Sequence, residues 1–324
     1  MENILITGVS GYLGRRLVRA LAGSMEIGRI IGIDIAPMPA EEPGLMFHRM
    51  DIRSPEIGRL IAEQRIDTVF HLAFVVKPIH DLRRMHDIDY NGTRNVLEAS
   101  LAGGVRHLIA TSSTLAYGAH PDNPSELSED APLRGNPSYP YGYNKAVVDR
   151  MMQEFAAAHP EMTVTILRPC TVFGPAVDNY VSRMLFRPFT VGIMGSNPMV
   201  QFVHEDDFVE ACLLTGKRKK GGAFNIVGQG SLTAREIVTM VGARLIPLPA
   251  FLLYPLLEIC WRLRIPGVEV NQGYLDYARY AFIADGRKAR EELGFVPRYS
   301  SSQALSASLG AVKRSGKLHR QGGG

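Results

Sequence analysis

A tyrosine and a lysine four residues apart form a pair whose types and spacing could carry out proton transfer. They lie in the segment Tyr141-Gly-Tyr-Asn-Lys145, which begins a predicted helix. Residues four apart share a helical face, so the phenol and the ammonium can converge on one place. A phenol with an ordinary pKa of about 10 is a poor base at neutral pH, and a nearby ammonium lowers that pKa by favouring the phenolate. We therefore expect Tyr141 to move a proton to or from a substrate oxygen, with Lys145 tuning it.

Hydroxyl side chains end the predicted strand that precedes this helix. Thr111-Ser-Ser-Thr114 follows the apolar run at 105–110. This cluster lies where a doubly wound sheet would place a site. Two further tyrosines, Tyr139 and Tyr143, compete with Tyr141 for the proton-transfer role, but neither is followed by a lysine four residues later.

A glycine-rich turn at the start of the chain predicts a dinucleotide site. The apolar run 3–7 reads as a buried parallel strand, Gly8, Gly11 and Gly14 follow it, and apolar residues then recur at helical spacing. Glycines allow positive φ and close backbone approach, and the helix N-terminus beyond them presents unpaired N–H groups to an anion. Such a turn holds the pyrophosphate of a dinucleotide.

An acidic residue at the end of the second predicted strand favours NAD over NADP. Asp34 lies 20 residues after Gly14, where this type of site places the carboxylate that binds the adenosine ribose. A carboxylate there would repel a 2′-phosphate. The alternative interpretation of Asp34 is a turn or helix-capping aspartate.

Strand and helix patterns alternate along the first half of the chain and predict an α/β fold. Such alternation is typical of a doubly wound parallel sheet, with ligands bound beyond the carboxyl ends of its strands. The predicted strands span residues 3–7, 29–34, 45–52, 67–73, 105–111 and 163–167. The predicted helices span residues 15–22, 54–64, 85–102 and 141–158.

The pattern changes after Pro175, which predicts a second domain. We expect residues 1–175 to form the dinucleotide-binding domain, with returning segments near 200–230 that include a short strand at 224–227. Residues 176–314 would form most of a smaller substrate domain, and residues 315–324 a disordered tail.

Composition and charge exclude several classes of protein. The 324 residues are 46% hydrophobic and 21% charged, which is typical of a soluble globular protein. A net charge of +4 is too small to indicate nucleic-acid binding, and the basic run at 217–220 reads as a solvated turn. The three cysteines lack the spacing of a metal site or a disulfide framework, and a strand is predicted three residues into the chain. We therefore predict no metal and a cytoplasmic location.

The most apolar segment, residues 245–261, is too short and too often interrupted by proline to span a membrane. We predict a buried helix of the second domain. The alternatives are a segment that rests on a membrane surface or one that lines an apolar substrate pocket.

Together these motifs resemble the extended branch of the short-chain dehydrogenase/reductase superfamily, the NAD-dependent epimerase/dehydratase family. The similarity covers roughly residues 3–230, with weaker similarity near 282–285 and 291–297. The segments that carry it are Thr7-Gly8-x-x-Gly11-x-x-Gly14, Asp51-Ile52, His71-Leu-Ala73, 91–99, Ser112-Ser113-x-x-x-Tyr117-Gly118, Leu167-Arg-Pro169, Phe173-Gly-Pro175 and Phe202-Val-His204-Glu-Asp-Asp207.

The resemblance implies a role for each matched residue. Tyr141 would be the general acid/base, Lys145 would hold the nicotinamide ribose and lower the pKa of Tyr141, and Ser113 would bind the substrate oxygen. Ser113 could instead cap a turn and leave that role to Ser112 or Thr114. The implied contacts to NAD come from Gly8, Ser10, Gly11, Tyr12, Leu13, Gly14, Asp34, Asp51, Ile52, Leu72, Ala73, Tyr141 and Lys145. His71 and His204 are interpreted as structural histidines, and Asp206 and Asp207 as fixing a loop or helix start rather than binding a metal.

Three departures from the family pattern bear on the substrate. Nucleotide-sugar members usually carry an asparagine at the position of Thr171 and an arginine at the position of Val200, both of which would contact a diphosphate. Dehydratases carry an Asp-Glu pair where this chain has Thr114-Leu115. The resemblance therefore implies hydride transfer between NAD and a secondary alcohol or ketone, on a fairly hydrophobic substrate.

Two alternatives stay open: a nucleotide-sugar 4-epimerase with tightly bound NAD, and a non-catalytic dinucleotide-binding protein. By analogy with the family, a homodimer would form through the helices at 85–102 and 141–158.

Overall fold

The computed structural model describes residues 1–23, 27–77 and 79–314. The tail predicted to be disordered, residues 315–324, lies outside these described residues. The strands are β1 Asn3–Thr7, β2 Arg29–Asp34, β3 Leu45–Arg49, β4 Thr68–His71, β5 His107–Thr111, β6 Thr163–Pro169, β7 Thr171–Phe173, β8 Phe189–Ile193, β9 Met199–Val200, β10 Phe202–His204, β11 Gly222–Ile226, β12 Leu232–Thr233 and β13 Arg244–Leu248.

Helices connect the strands and cover the sheet. They are α1 Tyr12–Ala22, α2 Glu56–Gln64, α3 Leu82–His86, α4 Gly92–Ala102, α5 Pro140–Ala158, α6 Tyr180–Leu185, α7 Glu205–Arg218, α8 Ala234–Val241, α9 Ala250–Arg262, α10 Tyr274–Tyr277 and α11 Ser301–Arg314. Wider π-helical turns span Asp87–Asn91 and Ala289–Leu293, and a 3₁₀ turn spans Thr114–Tyr117.

The described residues form a seven-stranded parallel sheet in the order β11-β6-β5-β4-β1-β2-β3. The inner strand β1 is apolar on successive residues because both faces are covered: Ile4, Leu5 and Ile6 are fully buried. The strand order reverses between β1 and β4, which opens a crevice at their carboxyl ends. This Rossmann-type arrangement confirms the predicted fold class.

The predicted elements are found with shifted ends. β3 ends at Arg49, before the predicted residue 52, because Asp51 begins a turn in which its carbonyl accepts from Ser54 N–H. The helix predicted from residue 85 begins at Leu82, where the Asp81 side chain caps it by accepting from Arg84 N–H. The predicted strand at 224–227 corresponds to β11, the edge strand that pairs with β6.

The remaining strands form small pairs beyond the main sheet. β7 pairs with β10, β9 with β12, and β8 with β13. A division into domains at residue 175, and dimerisation through the helices predicted at 85–102 and 141–158, stay predictions.

The helix predicted within residues 245–261 is present, but the prediction that it is buried is wrong. The segment forms β13 and α9, and within α9 only Leu253 and Trp261 are buried. The apolar character of a sequence shows that a face can be buried, but it does not show that another element covers it. No helix among the described residues has both the length and the apolar character needed to cross a bilayer.

A buried ion pair joins α5 to the end of β6. The Arg168 guanidinium donates to both carboxylate oxygens of Asp149 at 2.8 and 2.9 Å, and both side chains are fully buried. The same guanidinium donates to the Tyr117 hydroxyl and to the Glu129 carbonyl oxygen. It therefore holds the loop after β5 to the sheet, beside the cavity described below.

Replacing Arg168 with methionine is expected to lower the free energy of unfolding by about 3 to 5 kcal/mol, because Asp149 would be left as an unpaired buried charge. Urea denaturation measures this loss. Arg59→Met is the matched control, because Arg59 pairs with Glu63 on the exposed surface of α2. This variant should lower the free energy of unfolding by less than about 1 kcal/mol. Equal losses in the two variants would show that the buried ion pair stabilises the protein no more than the exposed one does.

Candidate active site

A cavity of about 1070 Å³ lies at the carboxyl edge of the sheet, between the crevice and the segments from 178 to 282. The lining includes nearly all of the predicted site residues: Gly8, Gly11, Tyr12, Leu13, Gly14, Asp34, Asp51, Ile52, Leu72, Ala73, Ser113, Tyr141 and Lys145. Ser10 lies beside Asp34 and is not part of the lining that the described residues form.

The glycine turn leaves room for an anion at the N-terminus of α1. Gly8 has a φ of 73°, and a Cβ atom there would lie 2.7 Å from the backbone nitrogen of Ala73. A Cβ atom on Gly14 would lie 2.8 Å from Val9 Cα. Gly11 caps the helix without a side-chain hydrogen bond, so the first N–H groups of α1 stay available to a ligand. This geometry fits a dinucleotide pyrophosphate.

Asp34 ends β2 beside this turn. Its carboxylate accepts hydrogen bonds from the backbone N–H of Ser10 at 3.1 Å and of Ala36 at 2.9 Å. The Ser10 hydroxyl donates to the Ala36 carbonyl oxygen at 3.0 Å. These contacts fix a negatively charged acceptor that fits ribose hydroxyls and disfavours a 2′-phosphate.

Asp51 and Ile52 lie at the same end of the cavity. The Arg53 side chain donates to the Asp51 carboxylate at 2.6 and 3.0 Å, which holds the pKa of Asp51 below its ordinary value. Leu72 and Ala73 follow β4 on the opposite side of the turn, and Ala73 N–H donates to the Thr7 hydroxyl at 3.2 Å. The four residues fit the walls of an adenosine site.

Tyr141 and Ser113 come together in the middle of the cavity. Tyr141 lies in the first turn of α5, Ser113 follows β5, and both side chains line the cavity, where the Ser113 hydroxyl acts to lower the pKa of Tyr141. The Phe74 ring packs edge-on against the Tyr141 ring, with centroids 5.8 Å apart. A hydroxyl pair of this kind can bind one substrate oxygen and exchange a proton with it.

The pKa of Tyr141 lies above its ordinary value, contrary to the expected lowering by Lys145. Burial raises it most, the Asp89 carboxylate raises it further, and the hydrogen bond to Ser113 lowers it. Excluding water from the phenol penalises the phenolate, and the Lys145 ammonium interacts with other groups. In the protein without NAD, Tyr141 is therefore a neutral phenol at neutral pH.

The Lys145 ammonium is buried with a carbonyl and an aromatic ring. Nζ donates to the Thr111 carbonyl oxygen at 2.7 Å and lies 3.6 Å from the centroid of the Phe74 ring. Burial lowers the pKa of Lys145, whereas Asp89 and Asp149 oppose that change. A buried ammonium with spare donors fits the hydroxyls of a nicotinamide ribose.

The competing hydroxyl residues differ in their surroundings. Ser113 Oγ accepts from Leu115 N–H at 3.2 Å, so it caps the 3₁₀ turn as well as facing Tyr141. Ser112 also lines the cavity, and its buried hydroxyl has no hydrogen-bond partner among the described residues. Tyr139, which is hydrogen-bonded to Tyr180, and the exposed Tyr143 are not part of the lining. Tyr141 is therefore the one of the three tyrosines that lines the cavity, and the choice of Ser113 over Ser112 stays a prediction.

Two residues near Tyr141 were not found from the sequence, Phe74 and Asp89. The Asp89 carboxylate is buried and accepts from Asn144 Nδ2 at 2.9 Å and from Val75 N–H at 2.8 Å. Burial raises the pKa of Asp89. Both residues are distant in sequence from Tyr141, so no local spacing indicates them.

The histidines predicted to be structural are satisfied inside the protein. His71 lies between the hydroxyls of Thr7 at 2.7 Å and Thr93 at 3.0 Å, and burial lowers its pKa to about 3. His204 Nδ1 accepts from Asp206 N–H and caps α7.

Asp207 fixes a loop, as predicted, by accepting from the N–H groups of Arg298 and Tyr299. No cluster of potential metal ligands occurs within residues 1–23, 27–77 and 79–314.

The half of the cavity farther from the glycine turn has mainly apolar walls. Thr171 and Val200, the positions that depart from the nucleotide-sugar pattern, both line it. Apolar side chains there include Met184, Leu185, Val191, Leu245, Leu253, Leu256, Leu257, Val268 and Val270. Arg187 and Arg235 are the basic residues on this side.

Comparisons with known proteins agree with this geometry. A family model described as the NAD dependent epimerase/dehydratase family matches residues 4–227. An uncharacterized protein of Mycobacterium tuberculosis (strain ATCC 25618 / H37Rv) is 29% identical over 309 residues, which are 93% of this chain and 82% of that protein. A UDP-glucose 4-epimerase of Streptomyces lividans is 28% identical over 273 residues, covering 73% of this chain and 79% of the enzyme.

Among solved structures, MoeE5 in complex with UDP-glucuronic acid and NAD superposes with a TM-score of 0.77 at 26% identity. The match covers 97% of this chain and 99% of that one.

Gly14→Ala is expected to weaken NAD binding at least tenfold, because the new methyl group would displace the turn from Val9 and misplace the N–H groups of α1. Isothermal titration calorimetry measures the change. Gly58→Ala is the control, because a Cβ atom there would meet only Ala99, at 4.0 Å, where α2 packs against α4. This variant should bind NAD with unchanged affinity. Unchanged affinity in Gly14→Ala would contradict the placement of the pyrophosphate.

Proposed function

Because this chain belongs to the NAD dependent epimerase/dehydratase family, we propose that it is an oxidoreductase that interconverts a secondary alcohol and a ketone on a fairly hydrophobic substrate. The observation that carries this proposal is the apolar wall of the cavity around Tyr141. Thr171 and Val200 stand there in place of an asparagine and an arginine, so two groups that could bind a diphosphate are replaced.

The roles proposed for the side chains follow from their contacts. NAD, when bound, supplies the hydride acceptor or donor. In the reducing direction Tyr141 donates its phenolic proton to the carbonyl oxygen of the ketone, while Ser113 Oγ–H donates a hydrogen bond to the same oxygen. In the oxidising direction the phenolate would accept the proton of the alcohol. Burial raises the pKa of Tyr141, so the phenol carries its proton at neutral pH when no ligand brings charge beside it.

Lys145 is proposed to act on Tyr141 through charge and to bind the ribose. Its ammonium lies 5.9 Å from the centroid of the Tyr141 ring, near enough to stabilise a phenolate as it forms. Asp89 opposes this effect, since its carboxylate disfavours the phenolate. The Phe74 ring and the Thr111 carbonyl oxygen hold the ammonium in place.

A nucleotide-sugar 4-epimerase is the second candidate. It is favoured by the similarity to the UDP-glucose 4-epimerase of Streptomyces lividans and by Arg187 and Arg235 on the substrate side of the cavity. Arginine binds phosphate oxygens well. However, Arg187 already donates to the Gly267 carbonyl oxygen at 3.0 Å.

Tyr141→Phe is expected to lower kcat at least a thousandfold while changing NAD affinity less than threefold, because only the exchangeable proton is lost. Turnover of NADH with a panel of hydrophobic ketones, followed at the nicotinamide absorbance, measures the change. Tyr143→Phe is the matched control, because that hydroxyl lies outside the cavity lining, and it should keep full activity. Full turnover by Tyr141→Phe would refute the proposed role.

The two candidate functions predict different behaviour of the purified protein. An oxidoreductase of the proposed type should exchange NAD freely, gain thermal stability from hydrophobic ketones in the presence of NAD, and ignore UDP-sugars. A 4-epimerase should retain NAD through purification and gain stability from a UDP-sugar. A thermal-shift screen with both ligand classes, together with release of bound nucleotide by acid, separates them. Stabilisation by a UDP-sugar alone would overturn the first candidate.

A further inference from the structure

The outward side of α9 is apolar, which reverses the usual pattern of a surface helix. Its exposed residues fall within an arc of roughly 140° at 100° per residue, and they are apolar except for Arg262. Phe251 is 77% exposed, and Leu263, just beyond the helix, is 69% exposed. We call this surface the α9 face; it consists of Phe251, Leu252, Pro255, Leu256, Ile259 and Leu263. The opposite side of the helix carries the buried residues Leu253 and Trp261.

Apolar exposure continues from the α9 face onto the neighbouring strands. β8 and β13 pair in parallel, and their exposed side chains include Phe189, Val191 and Ile246. β13 is joined to α9 by Pro249 alone. Several of these exposed residues, among them Phe189, Val191 and Leu256, also line the cavity. The cavity therefore opens onto this apolar surface.

The charges around the α9 face are mainly positive. The segments 187–194 and 244–267 contain four arginines, Arg187, Arg244, Arg262 and Arg264, and one acidic residue, Glu258, which gives a net charge of +3. Glu258 is paired with Arg262 at 2.8 Å. Arg244, Arg262 and Arg264 are exposed. An apolar surface with cationic neighbours is complementary to an anionic lipid headgroup layer.

We propose that the α9 face docks on the surface of a bilayer that contains anionic lipids. The apolar side chains enter the boundary between headgroups and acyl chains, while the arginines bind lipid phosphates. With 13 residues, α9 is too short to span the bilayer, so it lies in the plane of the interface. The mouth of the cavity then faces the lipid, which gives an apolar substrate a route that avoids water.

A second copy of this chain is a less suitable occupant. In a two-fold interface the same surface packs against itself, so the arginines of one α9 face would approach those of the other. Like charges facing each other destabilise an interface. Anionic lipid headgroups neutralise the same arginines.

Vesicle flotation tests the proposal on the full chain. Vesicles of equal parts phosphatidylglycerol and phosphatidylcholine should carry the protein, and vesicles of phosphatidylcholine alone should carry at least tenfold less. The double variant Phe251→Glu/Ile259→Glu should lose flotation at least tenfold, and Arg244→Glu/Arg264→Glu should lose it mainly on the anionic vesicles. None of these residues lines the cavity, so NAD affinity, measured in parallel, reports correct folding.

Val296→Glu is the matched control, because Val296 is 60% exposed and lies outside the α9 face; it should float like the unmodified protein. Absence of flotation by the unmodified protein would overturn the proposal. So would equal flotation of the Phe251→Glu/Ile259→Glu variant. A dimer in light scattering that this variant dissociates, without flotation by either protein, would assign the α9 face to a second copy instead.

Discussion

The close approach of backbone segments around the glycine turn is the constraint on which the cavity depends. Gly8 lies against the backbone of Ala73, and Gly14 lies against Val9, with no space for a side chain at either glycine. This packing brings the end of β1, the start of α1 and the segment after β4 into contact. Because no side chain fills the turn, the N-terminus of α1 faces the cavity and can bind an anion.

Burial dominates the electrostatics around the proton-transfer groups. Tyr141, Lys145 and Asp89 lie close together, and removal of water disfavours the charged form of each one. The Lys145 ammonium is held by a carbonyl dipole and a ring rather than by a carboxylate. A site of this kind changes its proton affinities strongly when a ligand brings charge or excludes the remaining water, so binding and proton transfer are linked.

The sequence patterns were sufficient for the fold class and for the nucleotide end of the cavity, where nearly all of the predicted residues line it, because buried parallel strands are apolar throughout and glycine turns have a fixed spacing. The strand ends were less accurate, since the turn at Asp51 depends on a local hydrogen bond. Phe74 and Asp89 could not be found, because tertiary packing alone brings them to Tyr141. The direction of the Tyr141 pKa was predicted wrongly, because it depends on how completely the fold excludes water.

The error over α9 has a related cause. The apolar character of residues 245–261 is plain from the sequence, but burial depends on whether another element covers the helix. In the structure only one side of α9 is covered. A sequence pattern shows which face of a segment is apolar, but only the tertiary structure shows which element packs against that face.

The edge strand β11 has a consequence for how the chain is assembled. β6 ends at Pro169, and its outer partner begins at Gly222, so about fifty intervening residues must be synthesised before that side of the sheet is closed. Until then the backbone N–H and C=O groups along that edge of β6 have no partner strand, and such an edge pairs readily with other chains. A fragment that stops near residue 175 would hold the glycine turn and Tyr141 but would leave this edge of β6 without its partner strand, and we expect it to aggregate more readily than the whole chain.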